Sequence, residues 1–478
     1  MEIKLYDTMT RKVKGIAPTD EKRFRFYCCG LTVYGPAHIG NFRTFTLQDV
    51  LRRILKISGL NPYHIRNITD VDDKTIRQSE SKGKSLKKIT EKWTDIFHAD
   101  CQELNMLPPH KEPKASEHIP QQIKLISTLL NKGCAYQAKD GSIYFKISTF
   151  PDYGKLTQLD RVELKTQTDA NDNHQNLADE YEKETVADFS LWKARKANDG
   201  NNYWVSPWGE GRPGWHLECS AMSMEYLGES FDLHGGGIDL CFPHHENEIA
   251  QSEMATGIKP FSKHWFHSAH LIVDGEKMSK SLGNMYTLEE IKLKGYTAMA
   301  LRYLLISGHY RQPLNFTFNG IDAAQSAINK LETFIYEMLS NIKMIKEDFI
   351  SLQLETSTDD WGYLDKAWEA LINDLNTPAC LGNIFSALNK ISSANLTTNE
   401  ITSNLKALAH ITYALGLDPF SKEQKTVLVP NEIRKLAEER WLAKNSKDFI
   451  KADKFRDEIQ AEGWQVHDGK DTYKLVPL

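Results

Sequence analysis

The chain has 478 residues, 40% of them hydrophobic and 26% charged, with a formal net charge of −5. That length predicts two to four domains with a large core, and the acidic balance leaves any nucleic-acid contact to local basic patches. No apolar run approaches the roughly 18–20 residues of a membrane span, MEIKLYDTMTRKVK lacks the apolar stretch of a secretory signal, and seven thinly spread cysteines point to a reducing cytoplasm and to metal or catalytic use rather than disulfides.

In chain order, Phe24–Cys29 predicts a buried strand, with Gly30 opening a turn. Side chains alternate along a strand, so only one of Cys28 and Cys29 faces a site at its carboxyl end. Tyr34-Gly35-Pro36-Ala37-His38-Ile39-Gly40-Asn41 follows, and Leu47, Val50, Leu51, Ile54 and Leu55 then form one helical stripe facing a sheet. Strand, glycine-containing turn and helix is the geometry that sets backbone N–H groups and a helix N-terminus against phosphate. Tyr63–Ile68 predicts the parallel partner strand, ending in Thr69-Asp70-Val71-Asp72-Asp73-Lys74. Those acids fit a helix N-terminal turn as well as a catalytic role. Helical spacing recurs at Leu86, Ile89, Trp93 and Ile96 and at Ile119, Ile123, Ile126 and Leu130, and Lys139-Asp140-Gly141 is a hairpin turn. The stretch from about Glu112 to Trp208, including a polar loop at 168–185, reads as an insertion into the α/β pattern.

Pro213–Glu253 concentrates chemistry: Cys219, Cys241, four histidines and the Gly235-Gly236-Gly237 run. His244 and Glu248 stand one helical turn apart, and a thiolate, an imidazole and a carboxylate together suit zinc, with Cys219 the nearest thiolate. A buried cysteine beside a solvated helix start fits the same residues. Trp265–Val273 predicts a strand, and Glu276–Asn284 a loop whose lysines and serines can wrap a triphosphate. Ala323–Ile345 and Asp365–Ile391 predict a helix bundle. Beyond the linker GLDPFSKEQKTVLVP, helices at Asn431–Ala443 and Lys447–Gln460 and a hairpin of Trp464–Val466 with Tyr473–Val476 set Trp441 and Phe449 among cations, a pattern that fits RNA.

His38-Ile39-Gly40-Asn41 and Lys277-Met278-Ser279-Lys280-Ser281 resemble the HIGH and KMSKS elements of class I aminoacyl-tRNA synthetases. YCCGLTVYGPAHIGN, NITDVDDK, PGWHLECSAMS, FDLHGGGIDLCFPHHENEIAQSE and EKMSKSLGN are similar to the cysteinyl-tRNA synthetase family in that class, over nearly the whole chain. Asn41 stands where the family motif often has its second histidine.

The resemblance implies an α/β fold: a Rossmann-type parallel-sheet catalytic domain (1–111 and 209–260) carrying an inserted connective domain (112–208). A KMSKS-containing stem-contact region (261–320), a helical bundle (321–420) and a small α+β anticodon-binding module (421–478) would follow. It further implies one zinc held by Cys29, Cys219, His244 and Glu248, clamping the cysteine thiolate, with Cys28 on the other strand face and Cys241 in an apolar strand DLCF outside the ligand set, and His245 a rival to His244. Thr69 and Trp215 would wall the amino acid, and His38 and Asn41 would meet the α-phosphate. Lys277 and Lys280 would meet pyrophosphate, Gly40, Gly235, Gly236 and Gly237 the nucleotide, and Asp239 the ribose. Lys444, Phe449, Asp453 and Asp468 would read the anticodon. The implied partners are L-cysteine, ATP with Mg2+ and tRNA(Cys), for a monomer with no membrane contact. Two rivals share parts of this pattern: a ligase joining activated cysteine to a small amine, as in mycothiol synthesis, and a zinc hydrolase built on the HHENE helix.

Overall fold

The computed structural model describes residues 2–20, 22–158, 188–279, 282–354, 360–420, 431–446, 448–468 and 473–477. The polar loop at 168–185 and Lys280 lie outside the described residues. The chain forms two compact units, Met1–Pro419 and Phe420–Leu478.

In the first unit β1 (Phe24–Thr32), α1 (Ile39–Ile57), β2 (Pro62–Thr69), α2 (Trp215–Leu227), β3 (Leu233–Gly237), α3 (Glu246–Thr256) and β4 (Trp265–Ser268) build the central layer. Its four strands run parallel in the order β4-β3-β1-β2. The chain leaves β1 toward β2 through α1 and later adds β3 on the opposite side, so the strand order reverses between β1 and β3. At such a reversal the carboxyl ends part and open a crevice, where doubly wound sheets bind ligands.

β1 runs three residues beyond the predicted Cys29, so Gly30 lies inside the strand rather than at a turn. Its pairing with β2 shifts register between Cys28 and Leu31. A Cβ on Gly30 would stand 1.6 Å from the Asn67 carbonyl oxygen, so the close approach of the two strands is what requires glycine. The bulge changes the facing of the strand: Tyr27 and Cys29 join one core cluster and Leu31 the other.

Three further expectations change. WFHSAHLIV is two strands in two sheets, Trp265–Ser268 in the parallel layer and Leu271–Val273 between Glu276–Lys277 and Leu314–Phe316. The Arg43 guanidinium holds the break, donating to the carbonyls of Ala269, Leu305, His309 and Gln312. Cys241 opens a helical turn, Cys241–His245, rather than lying in a strand. The run Asp365–Ile391 breaks into helices Asp365–Ile372 and Thr377–Ser393, because Asp374 and Leu375 take left-handed φ and Asn376 caps the second helix ahead of Pro378. Strands Ala135–Gln137, Ile143–Phe145, Phe189–Ala194, Gly209–Pro213 and Trp204–Ser206 form a separate antiparallel sheet.

In the second unit, helices Asn431–Asn445 and Phe449–Ala461 and the antiparallel pair Trp464–Asp468 and Tyr473–Pro477 enclose a small core of Ile433, Ala437, Ile459 and Trp464.

Helix α1 is buried on its polar side as well as along its apolar stripe. Asp49 Oδ2 accepts from Arg53 Nε at 2.8 Å and Arg302 Nη2 at 2.6 Å, while Oδ1 accepts from the Leu107 N–H at 2.9 Å. Arg302 also donates to the Leu104 and Leu415 carbonyls, each at 2.8 Å. One carboxylate thus ties α1 to the 104–107 turn, to the helix Ala298–Ile306 and, through Arg302, to the end of the helix Thr398–Leu415. Burial would raise the Asp49 pKa, but Arg53 and Arg302 outweigh it and hold the carboxyl below its ordinary value. A carboxyl depressed by folding stabilises the protein above the ordinary carboxylate range, and the contribution is lost as pH falls through the folded value. Asp49→Asn should therefore cost about 3–5 kcal/mol at pH 7, leaving two guanidinium groups uncompensated. Thermal unfolding of the variant should also show a weaker fall in stability toward acid than the parent.

Candidate active site

The crevice between β1 and β3 gathers donors from four places: Cys29 on β1, Cys219 on α2, His244 in the turn before α3, and Glu248 in the first turn of α3. One ligand atom from each lies within 4.8 Å of all the others, and all four residues are buried. The two sulfurs are 3.8 Å apart, Cys29 Sγ is 3.8 Å from Glu248 Oε1, and His244 Nε2 is 3.0 Å from that same oxygen. Tetrahedral zinc with bonds of about 2.0–2.3 Å sets its ligand atoms about 3.3–3.8 Å apart, so this donor set fits zinc in chemistry and nearly in spacing. The other Glu248 oxygen accepts from His234 Nε2 at 2.9 Å, and His216 Nδ1 lies 2.9 Å from His244 Nδ1. Such outer contacts orient metal ligands.

A second quartet overlaps the first: Cys29, His234, His245 and Glu248. His245 Nε2 lies 3.3 Å from Cys29 Sγ, its Nδ1 is 2.7 Å from His267 Nε2, and the other nitrogen of that ring, His267 Nδ1, is 2.8 Å from the Thr8 hydroxyl. The rivalry of His245 with His244 is therefore a property of the geometry as well as of the sequence.

The charges follow from these neighbours. Burial would raise Glu248, but His234 and His244 outweigh it and bring the carboxyl down to about 2. His244 is pushed up to about 10 because Glu248 and Cys219 outweigh its burial. Burial raises Cys29, and the thiol it keeps donates toward Cys219, whose own pKa is lowered against burial by that contact and by His244. A soft dication at the pair would favour the ionised form of both sulfurs. Cys28 is raised by burial and belongs to neither quartet; a Cβ on Gly235 would stand 3.4 Å from its sulfur. Cys241, pushed up to about 12 by burial, is outside both as well.

Around the donors, Thr69 ends β2, buried, with its Oγ1 accepting from Asn67 Nδ2 at 3.1 Å. Trp215 opens α2, its ring 4.1 Å from that of His244. A Cβ on Gly236 would meet the His245 ring at 2.9 Å, so the glycine run fits packed side chains beneath it. Asp239 is exposed just beyond, in the turn Ile238–Leu240.

His38 is the N-cap of α1: its Nδ1 accepts from the Asn41 N–H at 3.3 Å, and Asn41 Oδ1 accepts from the His38 N–H at 3.0 Å. The histidine and asparagine of the motif are thus engaged with each other. A Cβ on Gly40 would stand 3.3 Å from Met278 Sδ, and the Ile39 N–H donates to the Tyr286 carbonyl at 2.8 Å. The fold therefore sets the His38–Asn41 turn against the distant Lys277–Asn284 loop. Lys277 is exposed in the short strand Glu276–Lys277. In the second unit Lys444 lies 5.5 Å from the Trp441 ring, Phe449 is 61% exposed, Asp453 pairs with Arg456 at 3.0 Å, and Asp468 ends its strand.

Sequence reasoning missed His234 and His267, whose only signal was an unassigned histidine before the glycines and another in a strand. It missed Asn67, whose Oδ1 accepts from the Gly30 N–H at 2.8 Å. It also missed Glu218 on α2, fully buried, its carboxyl raised by burial and by Cys219, Asp72 and Asp70 against a hydrogen bond with Thr69 at the end of β2.

Residues 15–326 match the family described as tRNA synthetases class I (C) catalytic domain. The cysteine–tRNA ligase of Opitutus terrae is 48% identical over all of this chain and 99% of its own length, and that of Chlamydia muridarum is 41% identical over the full length of both. Among solved structures, Mycobacterium tuberculosis methionyl-tRNA synthetase in complex with methionyl-adenylate matches with a TM-score of 0.58 at 13% identity, covering 84% of this chain and 92% of that one, a likeness of fold. Full-length identity at this level, with the parallel sheet and the convergence of the two motif loops, places the chain in the cysteine–tRNA ligase family of class I tRNA synthetases.

Proposed function

We propose that the chain activates L-cysteine with ATP and transfers it to the terminal ribose of tRNA(Cys), with zinc at Cys29, Cys219, His244 and Glu248 selecting the thiolate. The observation that carries this reading is the buried quartet at the strand-order reversal, beside the paired motif loops. An apolar pocket separates cysteine from serine, near-isosteres, by only roughly 10–200-fold. Zinc, when bound, supplies a soft cation that takes a thiolate in preference to a hydroxyl. Thr69 and Trp215 hold the amino-acid backbone so that its carboxylate faces ATP. In the first step that carboxylate attacks the α-phosphate and pyrophosphate leaves. His38 and Asn41 meet the developing phosphate charge, and Lys277 and Lys280 draw off pyrophosphate with its Mg2+. Gly40, Gly235, Gly236 and Gly237 admit the nucleotide, and Asp239 takes the ribose hydroxyls. In the second step the tRNA ribose hydroxyl attacks the adenylate carbonyl and AMP leaves. Lys444, Phe449, Asp453 and Asp468 contact the anticodon.

The domain reading goes with this function: 1–111 and 209–260 as the catalytic domain, 112–208 as its insertion, 261–320 as the stem-contact region, 321–420 as the bundle and 421–478 as the anticodon module. A monomer acting in the cytoplasm needs nothing further.

Metal analysis tests the clamp. The parent should carry one zinc; Cys219→Ser and Cys29→Ser should lose it, while Cys241→Ser, Cys28→Ser and His245→Ala keep it. Zinc that survives loss of Cys219 but not of His245 would move the ion to the overlapping quartet. The parent should also reject serine in amino-acid-dependent pyrophosphate exchange.

Lys280→Ala should slow that exchange by a factor on the order of 10² or more with the cysteine KM little changed, because a preplaced charge acts on the transition state. Unaltered exchange would remove Lys280 from the mechanism.

Phe449→Ala should leave exchange intact and weaken tRNA charging by about 1–3 kcal/mol, the range for a stacked base. Equal charging by parent and variant would make the ring idle.

A further inference from the structure

Lys82, Lys84, Lys87, Lys88 and Lys92 crowd the joint between the helices Asp73–Lys82 and Leu86–Glu103, with Glu91 the one carboxylate between Lys82 and Lys92 in sequence. All five are exposed. Gly83 ends the first helix in the left-handed conformation and Ser85 caps the second, so the chain folds back within three residues. The two helices meet there: Lys82 Nζ is 5.7 Å and Lys92 Nζ 4.7 Å from the centroid of the same Trp93 ring. Lys87 lies 3.7 Å from Glu91; among the described residues no carboxylate lies within 4.0 Å of Lys82, Lys84, Lys88 or Lys92. Lys88 and Lys92 moreover stand one turn apart on the same helix, where like charges repel. A chain of net charge −5 thus keeps a compact positive knuckle in which, among the described residues, only Lys87 of the five lysines is ion-paired.

Its position is fixed relative to the crevice. The first helix starts at its N-cap Asp72, three residues beyond Thr69. Asp73 anchors that end by ion pairs to Arg212 and, at 2.8 Å, to Lys193. Ten helical residues at about 1.5 Å each carry the lysines about 15 Å from the rim of the site. The second helix is held by Phe97, stacked 6.3 Å from Phe42 and tilted at 5.1 Å from Phe45 of α1. A nucleic acid whose end reacts in the crevice extends beyond it as a duplex whose backbone carries one charge per phosphate, within the range that a helix of this length spans. Clustered ammonium groups match that backbone without reading sequence.

We propose that this lysine knuckle grips the phosphate backbone of the tRNA acceptor stem while its 3′ end occupies the crevice, an inference that rests on the tRNA-charging function above. Lys84, Lys88 and Lys92 are changed together to Gln in the full chain, with the matching triple Arg variant beside it. The substrates are a tRNA(Cys) transcript and an RNA hairpin of its acceptor arm alone, each charged over a range of salt concentrations. The Gln variant should raise KM at least tenfold for both RNAs. Its plot of log(kcat/KM) against log salt should be shallower by two to three, at about 0.9 per lost phosphate contact. Cysteine-dependent pyrophosphate exchange should stay at the parent level, and the Arg variant should charge as the parent does. Equal KM and equal salt slope in parent and Gln variant would overturn the proposal. A parent that exchanges no pyrophosphate with cysteine would strike the underlying function instead, and is read in a separate assay.

Discussion

Glu248 accepts on one oxygen from His234, on β3, and on the other pairs with His244, in the turn before its own helix. Keeping a carboxylate ionised with no exposed surface costs far less when both oxygens are so occupied. That requirement presses the first turn of α3 onto the end of β3, brings His245 over Gly236, and leaves no room for a side chain there. It also sets the carboxylate within reach of Cys29 on the neighbouring strand. The donor quartet is therefore a product of how a buried charge is satisfied, and the cation it suits would complete an arrangement the protein already holds together.

Helix α1 relates this centre to the rest of the first unit. Its N-terminal cap is made by His38 and Asn41, beside Met278 and Tyr286 of the later motif loop. Midway along, Asp49 binds the guanidinium groups that reach the 104–107 turn and the end of the helix Thr398–Leu415. Arg43 meanwhile bonds the carbonyls where the parallel layer gives way to the smaller sheet. The polar residues of this helix, buried rather than solvated, join segments more than two hundred residues apart.

Two strands of the parallel layer were legible because each is a short apolar run followed by polar or glycine-containing sequence, at Phe24–Cys29 and Tyr63–Ile68, whereas Leu233–Gly237 was not read as a strand. The donors Cys219, His244 and Glu248 were legible as soft and hard ligands crowded into one stretch, and the family likeness added Cys29. Less legible was whatever depends on contacts between distant segments. WFHSAHLIV reads as one strand because nothing local announces that Arg43 will hold it apart at Ala269. The burial of Asp49 and Arg53 on the polar side of α1 had no local signal, because Arg302, the second partner of Asp49, lies far downstream. The choice between His244 and His245 stayed open because both imidazoles reach the same centre from one turn.

The register shift at Gly30 has a consequence for how this centre could ever change. Tyr27 and Cys29 look toward α2, and one step of slippage later Leu31 looks the other way. The sulfur is aimed by the peptide backbone, which no exchange of side chains can redirect. A descendant that lost the slippage would turn every residue after it over, exchanging the packing of Leu31 and Val33 for whatever then faced inward. Drift at this strand is consequently confined to what leaves the count of residues between Cys28 and Thr32 untouched. The centre is inherited as a spacing as much as a set of ligands.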